Sequence, residues 1–90
     1  MELRRRLKIR NNLGLHARAA AKIVELGSRY ESRLFLKKND HEVDGSSILS
    51  ILTLSCPKGT EILARVEGGD SADFMDALDR LFEQKFGERL

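Results

Sequence analysis

Two histidines occur in the 90 residues, and their surroundings differ. His16 stands where a turn signal, Asn11-Asn12-Leu13-Gly14, gives way to helical spacing, with Arg18 two residues further on. The first N–H groups of a helix lack intrahelical acceptors, and here they belong to Ala17, Arg18 and Ala19. Those donors and the helix dipole point the same way, so such a position binds anions. Arg18 adds a permanent charge with a fork suited to phosphate oxygens. An imidazole is a nucleophile when uncharged, and the positive end of a helix disfavours a cationic ring. One position therefore suits both attack on phosphorus and retention of the transferred group. The plainer reading makes His16 an ordinary helix cap, and one histidine beside one arginine leaves that open. His41, among Asn39, Asp40 and Glu42, reads as a solvated surface residue.

Ser46 and Ser47 follow Gly45 and open a short apolar segment through Leu54, which is how a helix cap looks in sequence. Being adjacent, either could cap and either could be modified. Ile48, Ile51 and Leu54 make one face of this segment, with Leu49 and Leu52 toward its edge. Crowded apolar residues read first as core, but a small domain cannot bury both sides of a two-turn helix. Leucines left outside near His16 would form a docking patch with a basic rim. Cys56, the one cysteine, supports neither an internal disulfide nor a CxxC metal pair, so no metal site is expected. It reads as a small buried or loop residue.

These residues need elements to hold them. Leu3, Leu7 and Ile9 alternate with Arg4, Arg6, Lys8 and Arg10, so residues 3–10 read as a strand with one apolar and one basic face. Arg5 interrupts the apolar face at what reads as a frayed start. Ala19, Ala20, Ile23 and Val24 fall at helical spacing and place a first helix over 16–28, closed by Gly27 or soon after. Residues 32–38 and 41–44 read as strands joined by the Asn39-Asp40 turn. Residues 61–67 alternate as a fourth strand, ended by Gly68-Gly69. Asp70 is placed to cap a last helix reaching Phe86, with Gly87 just past its end. The order βαββαβα packs best as two layers, an α+β fold with three helices on one face of a four-stranded antiparallel sheet.

Composition bounds the rest. At 41% hydrophobic and 33% charged, the chain is too apolar for a disordered tail and too polar to insert in a membrane. A chain this short buries one thin core, so any chemistry must sit at the surface. Residues 1–90 read as a single domain with no linker or repeat. The charged start Met1-Glu2-Leu3-Arg4-Arg5-Arg6 lacks a following apolar run, so no signal peptide is expected and the reading is cytoplasmic. Residues 1–45 hold 11 Lys/Arg against 6 Asp/Glu, while residues 46–90 hold 5 against 8. The basic half suits an acidic partner. A nucleic-acid partner is not expected, because the basic strand lacks the interleaved aromatics of a stacking platform.

Gly14-Leu15-His16-Ala17-Arg18-Ala19-Ala20 resembles the active-site motif of the HPr family, the histidine phosphocarriers of the bacterial phosphoenolpyruvate-dependent phosphotransferase system. Ser47-Ile48-Leu49-Ser50-Ile51-Leu52 resembles that family's regulatory-serine helix, and Lys58-Gly59-Thr60-Glu61-Ile62 the loop into its last strand. The resemblance spans nearly the whole chain. It implies an open-faced β-sandwich, and a phosphoryl group that His16 accepts from enzyme I and passes to a IIA protein. Arg18 would pair with the phosphoryl oxygens, helped by the backbone N–H groups of Ala17 and Arg18. Ser47 aligns with the serine phosphorylated by HPr kinase/phosphorylase, with Ser46 the lesser candidate. Ile48, Leu49 and Leu52 would meet partners. The resemblance implies a carrier with a phosphohistidine intermediate, a monomer without cofactor. A second reading is a mainly regulatory HPr-like protein acting through Ser47; retention of both His16 and Arg18 counts against that as its sole role. Ala19 stands where the family usually carries proline. Alanine restores one N–H and favours helix, so the helix should survive with a less rigid entry.

Overall fold

The computed structural model describes residues 1–88 of the chain. Strand β1 (Glu2–Lys8) leads to helix α1 (Ala17–Gly27), then strands β2 (Arg33–Lys38) and β3 (His41–Asp44). Helix α2 (Ile48–Leu52), strand β4 (Glu61–Glu67), helix α3 (Ser71–Glu83) and a 3-10 turn (Lys85–Gly87) complete it. The four strands form one antiparallel sheet in the order β1-β4-β2-β3. This is the expected α+β open-faced sandwich.

Alternation decides which face of the sheet is covered. Leu7, Ile62, Ala64, Val66, Leu34, Leu36 and Val43 are buried, and so are Ala19, Ala20, Ile23, Ile51, Phe74, Leu78 and Phe82 from the helices. The opposite face stays in water, with Arg4, Arg6, Lys8 and Glu61 exposed. Arg33 and Arg65 lie over the ring of Phe35, at 5.0 and 4.2 Å from its centroid, and so shield the one aromatic residue there.

Four local expectations change. Arg5 is not a frayed start: it pairs with Ala64 inside β1 and reaches Asp79 of α3 at 3.2 Å. Its long stem lets it stand on the helix side while its charge stays with a carboxylate. Asp70 is the N-cap residue of α3, its carbonyl accepting the Phe74 N–H at 3.0 Å, but its side chain makes no cap bond. Its carboxylate accepts the N–H groups of Glu31 and Ser32, both at 2.9 Å, and the Ser32 hydroxyl. It thus ties α3 to the start of β2. Helix α3 ends at Glu83 rather than Phe86, because Lys85, Phe86 and Gly87 adopt left-handed φ values of 57°, 55° and 76°. That reversal buries Phe86 against Phe82, with ring centroids 4.9 Å apart. Ile48 is 37% exposed rather than inward, since α2 has barely more than one turn and only Ile51 and, beyond its end, Leu54 reach the core.

Candidate functional site

The turn before α1 is held closely against the loop before β4. The Leu15 N–H donates to the Cys56 carbonyl at 2.8 Å. Gly14 has φ 72°, and a Cβ there would lie 2.6 Å from the Cys56 carbonyl oxygen. Glycine is therefore the residue that lets the turn approach so closely and deliver His16 to the helix start. Leu15 beside it is buried, which anchors the turn from within.

His16 is the N-cap of α1, in extended conformation with φ −87° and ψ 179°. Its Nδ1 accepts the Arg18 backbone N–H at 3.2 Å, and its carbonyl accepts the Ala20 N–H at 2.9 Å. Accepting that bond places the lone pair on Nδ1 and the ring proton on Nε2. Arg18 and Ala17 are exposed, and among the described residues the Arg18 guanidinium makes no ion pair. Ala19 is fully buried and α1 begins on schedule, so alanine at this position has not cost the helix its entry.

His16, Arg18 and Lys22 line an open cleft of about 530 Å³ whose far wall is Phe86, Gly87 and Glu88. Glu88 is the residue that sequence reasoning missed. Its Oε2 lies 3.5 Å from His16 Nε2, and its side chain is only 10% exposed. The Asn11 side-chain amide donates to the same oxygen at 2.8 Å, and the Leu13 N–H donates to Oε1 at 3.1 Å. Burial pushes the Glu88 carboxyl up, but these bonds from Asn11 and Leu13, with His16 nearby, outweigh it and hold it below its ordinary value. Asn11 is fully buried and also donates to the Gly14 carbonyl at 2.7 Å, so one side chain braces both the turn and the carboxylate. Nothing local in the sequence marks Glu88; the buried Phe86 two residues earlier is the anchor that brings it here.

The serines separate clearly. Ser47 is half-buried and caps α2, its Oγ accepting the Ser50 N–H at 3.2 Å. Ser46 is exposed and donates to Asp44 Oδ1 at 2.7 Å. Its N–H bonds the same oxygen, and together these bonds hold the Asp44 carboxyl below its usual value. Leu49 is 78% exposed, whereas Leu52 packs partly against the core. Helix α2 packs on α1, which carries these residues on the helix layer that also presents His16. His41 is exposed, its Nε2 3.1 Å from the Thr53 hydroxyl. Cys56 is buried, and burial pushes its thiol up, as suits an inert core residue.

Comparison with known proteins falls on the same elements. Residues 3–84 match the family model described as the PTS HPr component phosphorylation site. The chain is 41% identical over 86 residues to the phosphocarrier protein HPr of Xylella fastidiosa, covering 96% of this chain and 97% of that one. The phosphocarrier protein HPr of Neisseria meningitidis serogroup A gives the same identity and coverage. Among solved structures, an HPr from Thermoanaerobacter tengcongensis superposes with a TM-score of 0.91 at 35% identity, covering 98% and 99% of the two chains. A phosphocarrier protein HPr from Bacillus anthracis gives a TM-score of 0.85 at 28% identity, over 90% and 96%. No helix among the described residues is long and apolar enough to cross a membrane.

Proposed function

The chain belongs to the HPr family of the phosphotransferase system, and from that premise we propose that residues 1–90 form one phosphocarrier domain that takes a phosphoryl group on His16. The observation that carries the reading is the pose of the imidazole: Nδ1 holds its lone pair at the start of α1, beside the exposed Arg18. Nδ1 is the attacking atom. As it bonds phosphorus, the Arg18 N–H it released turns to a phosphoryl oxygen, the Ala17 N–H adds a second donor, and the guanidinium pairs with the remaining charge. The donor is enzyme I charged by phosphoenolpyruvate, and the acceptor is a IIA protein. Ile48, Leu49 and Leu52 form the apolar part of the surface both partners meet, and the protein works in the cytoplasm as a monomer.

Ser47 is the regulatory site of this carrier, the substrate of an HPr kinase/phosphorylase. Ser46 is less suited, because a phosphate there would face the Asp44 carboxylate that already holds its hydroxyl. The competing reading, a mainly regulatory protein acting through Ser47, is separated by one experiment. Incubation with phosphoenolpyruvate and enzyme I is expected to give acid-labile, alkali-stable phosphate that His16→Ala abolishes. An unlabelled wild type that a kinase and ATP label at Ser47 would establish the regulatory reading instead.

A further inference from the structure

Glu88 comes from the far end of the chain, yet it is built into the site more firmly than Arg18 is. Two N–H donors, from Asn11 and Leu13, fix its two oxygens, and the third group facing it is His16 Nε2. Among the described residues lining the cleft it is the only acidic one, beside Arg18 and Lys22. A partly buried carboxylate with two fixed donors keeps its orientation while the ring changes charge. The left-handed turn at Lys85–Gly87 and the buried Phe86 ring hold the segment in place.

We propose that Glu88 is a positioning residue for phosphoryl transfer at His16: its carboxylate faces the Nε2 proton, keeps Nδ1 as the nucleophilic nitrogen and stabilises the charge the ring gains. The inference rests on His16 being the phosphoryl acceptor. In the step itself the Nδ1 lone pair forms the new P–N bond. The donor's bond to phosphorus breaks, and its electron pair leaves with the donor. The proton on Nε2 stays, so the imidazole acquires positive charge, and an anion already 3.5 Å away meets that charge without rearrangement. At rest the carboxylate stands beside an uncharged ring, and the separation closes to a hydrogen bond as the ring becomes cationic. The same logic fixes a histidine tautomer wherever a carboxylate binds the nitrogen opposite the reacting one.

The test uses the full chain with enzyme I and phosphoenolpyruvate, comparing wild type, Glu88→Gln and Glu88→Ala. Glutamine keeps an acceptor oxygen but no charge; alanine keeps neither. Both variants are expected to lower kcat for phosphoryl uptake by roughly ten- to a hundredfold, the range for loss of a partner that orients a histidine, with KM unchanged. Nitrogen-15 NMR of the His16 ring is expected to show the Nε2-protonated tautomer in wild type and Glu88→Gln, and both tautomers in Glu88→Ala. A folded Glu88→Ala with wild-type kcat and wild-type ring signals overturns the proposal, and so does a loss carried by KM alone. If wild type takes up no phosphate at His16, the phosphocarrier reading falls and this inference with it.

Discussion

Side chains in this molecule are assigned by which backbone N–H groups they meet. His16 and Ser47 each accept an N–H from their own helix, and each is thereby placed at an anion-friendly end of that helix. Asp70 occupies the equivalent position before α3 but spends its carboxylate on Ser32 and Glu31, residues of the connection between α1 and β2. The Ser32 hydroxyl first, then the Glu31 and Ser32 N–H groups, hold the Asp70 carboxyl below its ordinary value against the opposing effect of burial. A carboxyl lowered on folding stabilises the native state above its unfolded value, and that contribution is lost as pH falls through the lowered one. Asp70→Asn is therefore expected to melt below wild type near neutral pH. The gap should hold down to about pH 5 and begin to shrink near the ordinary carboxyl value of about 4. It should close only as pH falls through the lowered value, where both side chains are uncharged. Thermal melting across that range checks the sign; a gap that widened in acid would contradict it.

The short elements carry several of the residues to which a role is proposed, and they are the ones least stable by themselves. Helix α2 is five residues long, far below what an isolated helix needs, so Ser47 and the burial of Ile51 supply most of what holds it. Ser47→Ala is expected to cost about 1 kcal/mol, typical of losing a serine cap. Urea unfolding reads that loss, and an unchanged midpoint would mean the Ser50 N–H finds water at no cost. The 3-10 turn after α3 is a second such element. Left-handed backbone at a bulky residue is unfavourable by about 1–2 kcal/mol, and burial of the Phe86 ring offsets it. The turn in exchange returns the chain to the Asn11–Leu13 turn, which is how Glu88 reaches His16.

At the scale of the molecule, the shortest dimension is 20 Å, the thickness of a sheet and one helix layer. Such a body encloses nothing, so the proposed chemistry is presented outward on the helix layer. A carrier that must face two larger proteins in turn is served by that arrangement. Leu49 is the most exposed large apolar residue on this layer, ahead of Leu13 and Ile48, and stability does not explain it. Leu49→Asp is expected to leave stability within about 0.5 kcal/mol of wild type and to raise KM for phosphoryl transfer from enzyme I roughly tenfold. Parallel melting and transfer assays decide it; an unchanged KM would remove Leu49 from the docking surface.

Much of this was legible in sequence because it is local. Period-two alternation marked β1 and β4, and residues 41–44 form β3 as read. The Gly14-to-Arg18 spacing and the serine before an apolar run marked both helix starts, since caps and turns are set by neighbours a few positions apart. Arg5, Asp70 and Phe86 were misread for one shared reason. Each answers to a partner outside its own element: Asp79 for Arg5, Ser32 for Asp70, Phe82 and the returning chain for Phe86. Glu88 is the extreme case, bonding Asn11 across 77 residues. The chain by itself determined which residues alternate, cap and turn, and so where His16 and Arg18, the histidine and arginine proposed to handle the phosphoryl group, would stand. Only tertiary structure decided which carboxylate faces that histidine, because no local pattern records a contact that closes when the two ends of the chain pack together.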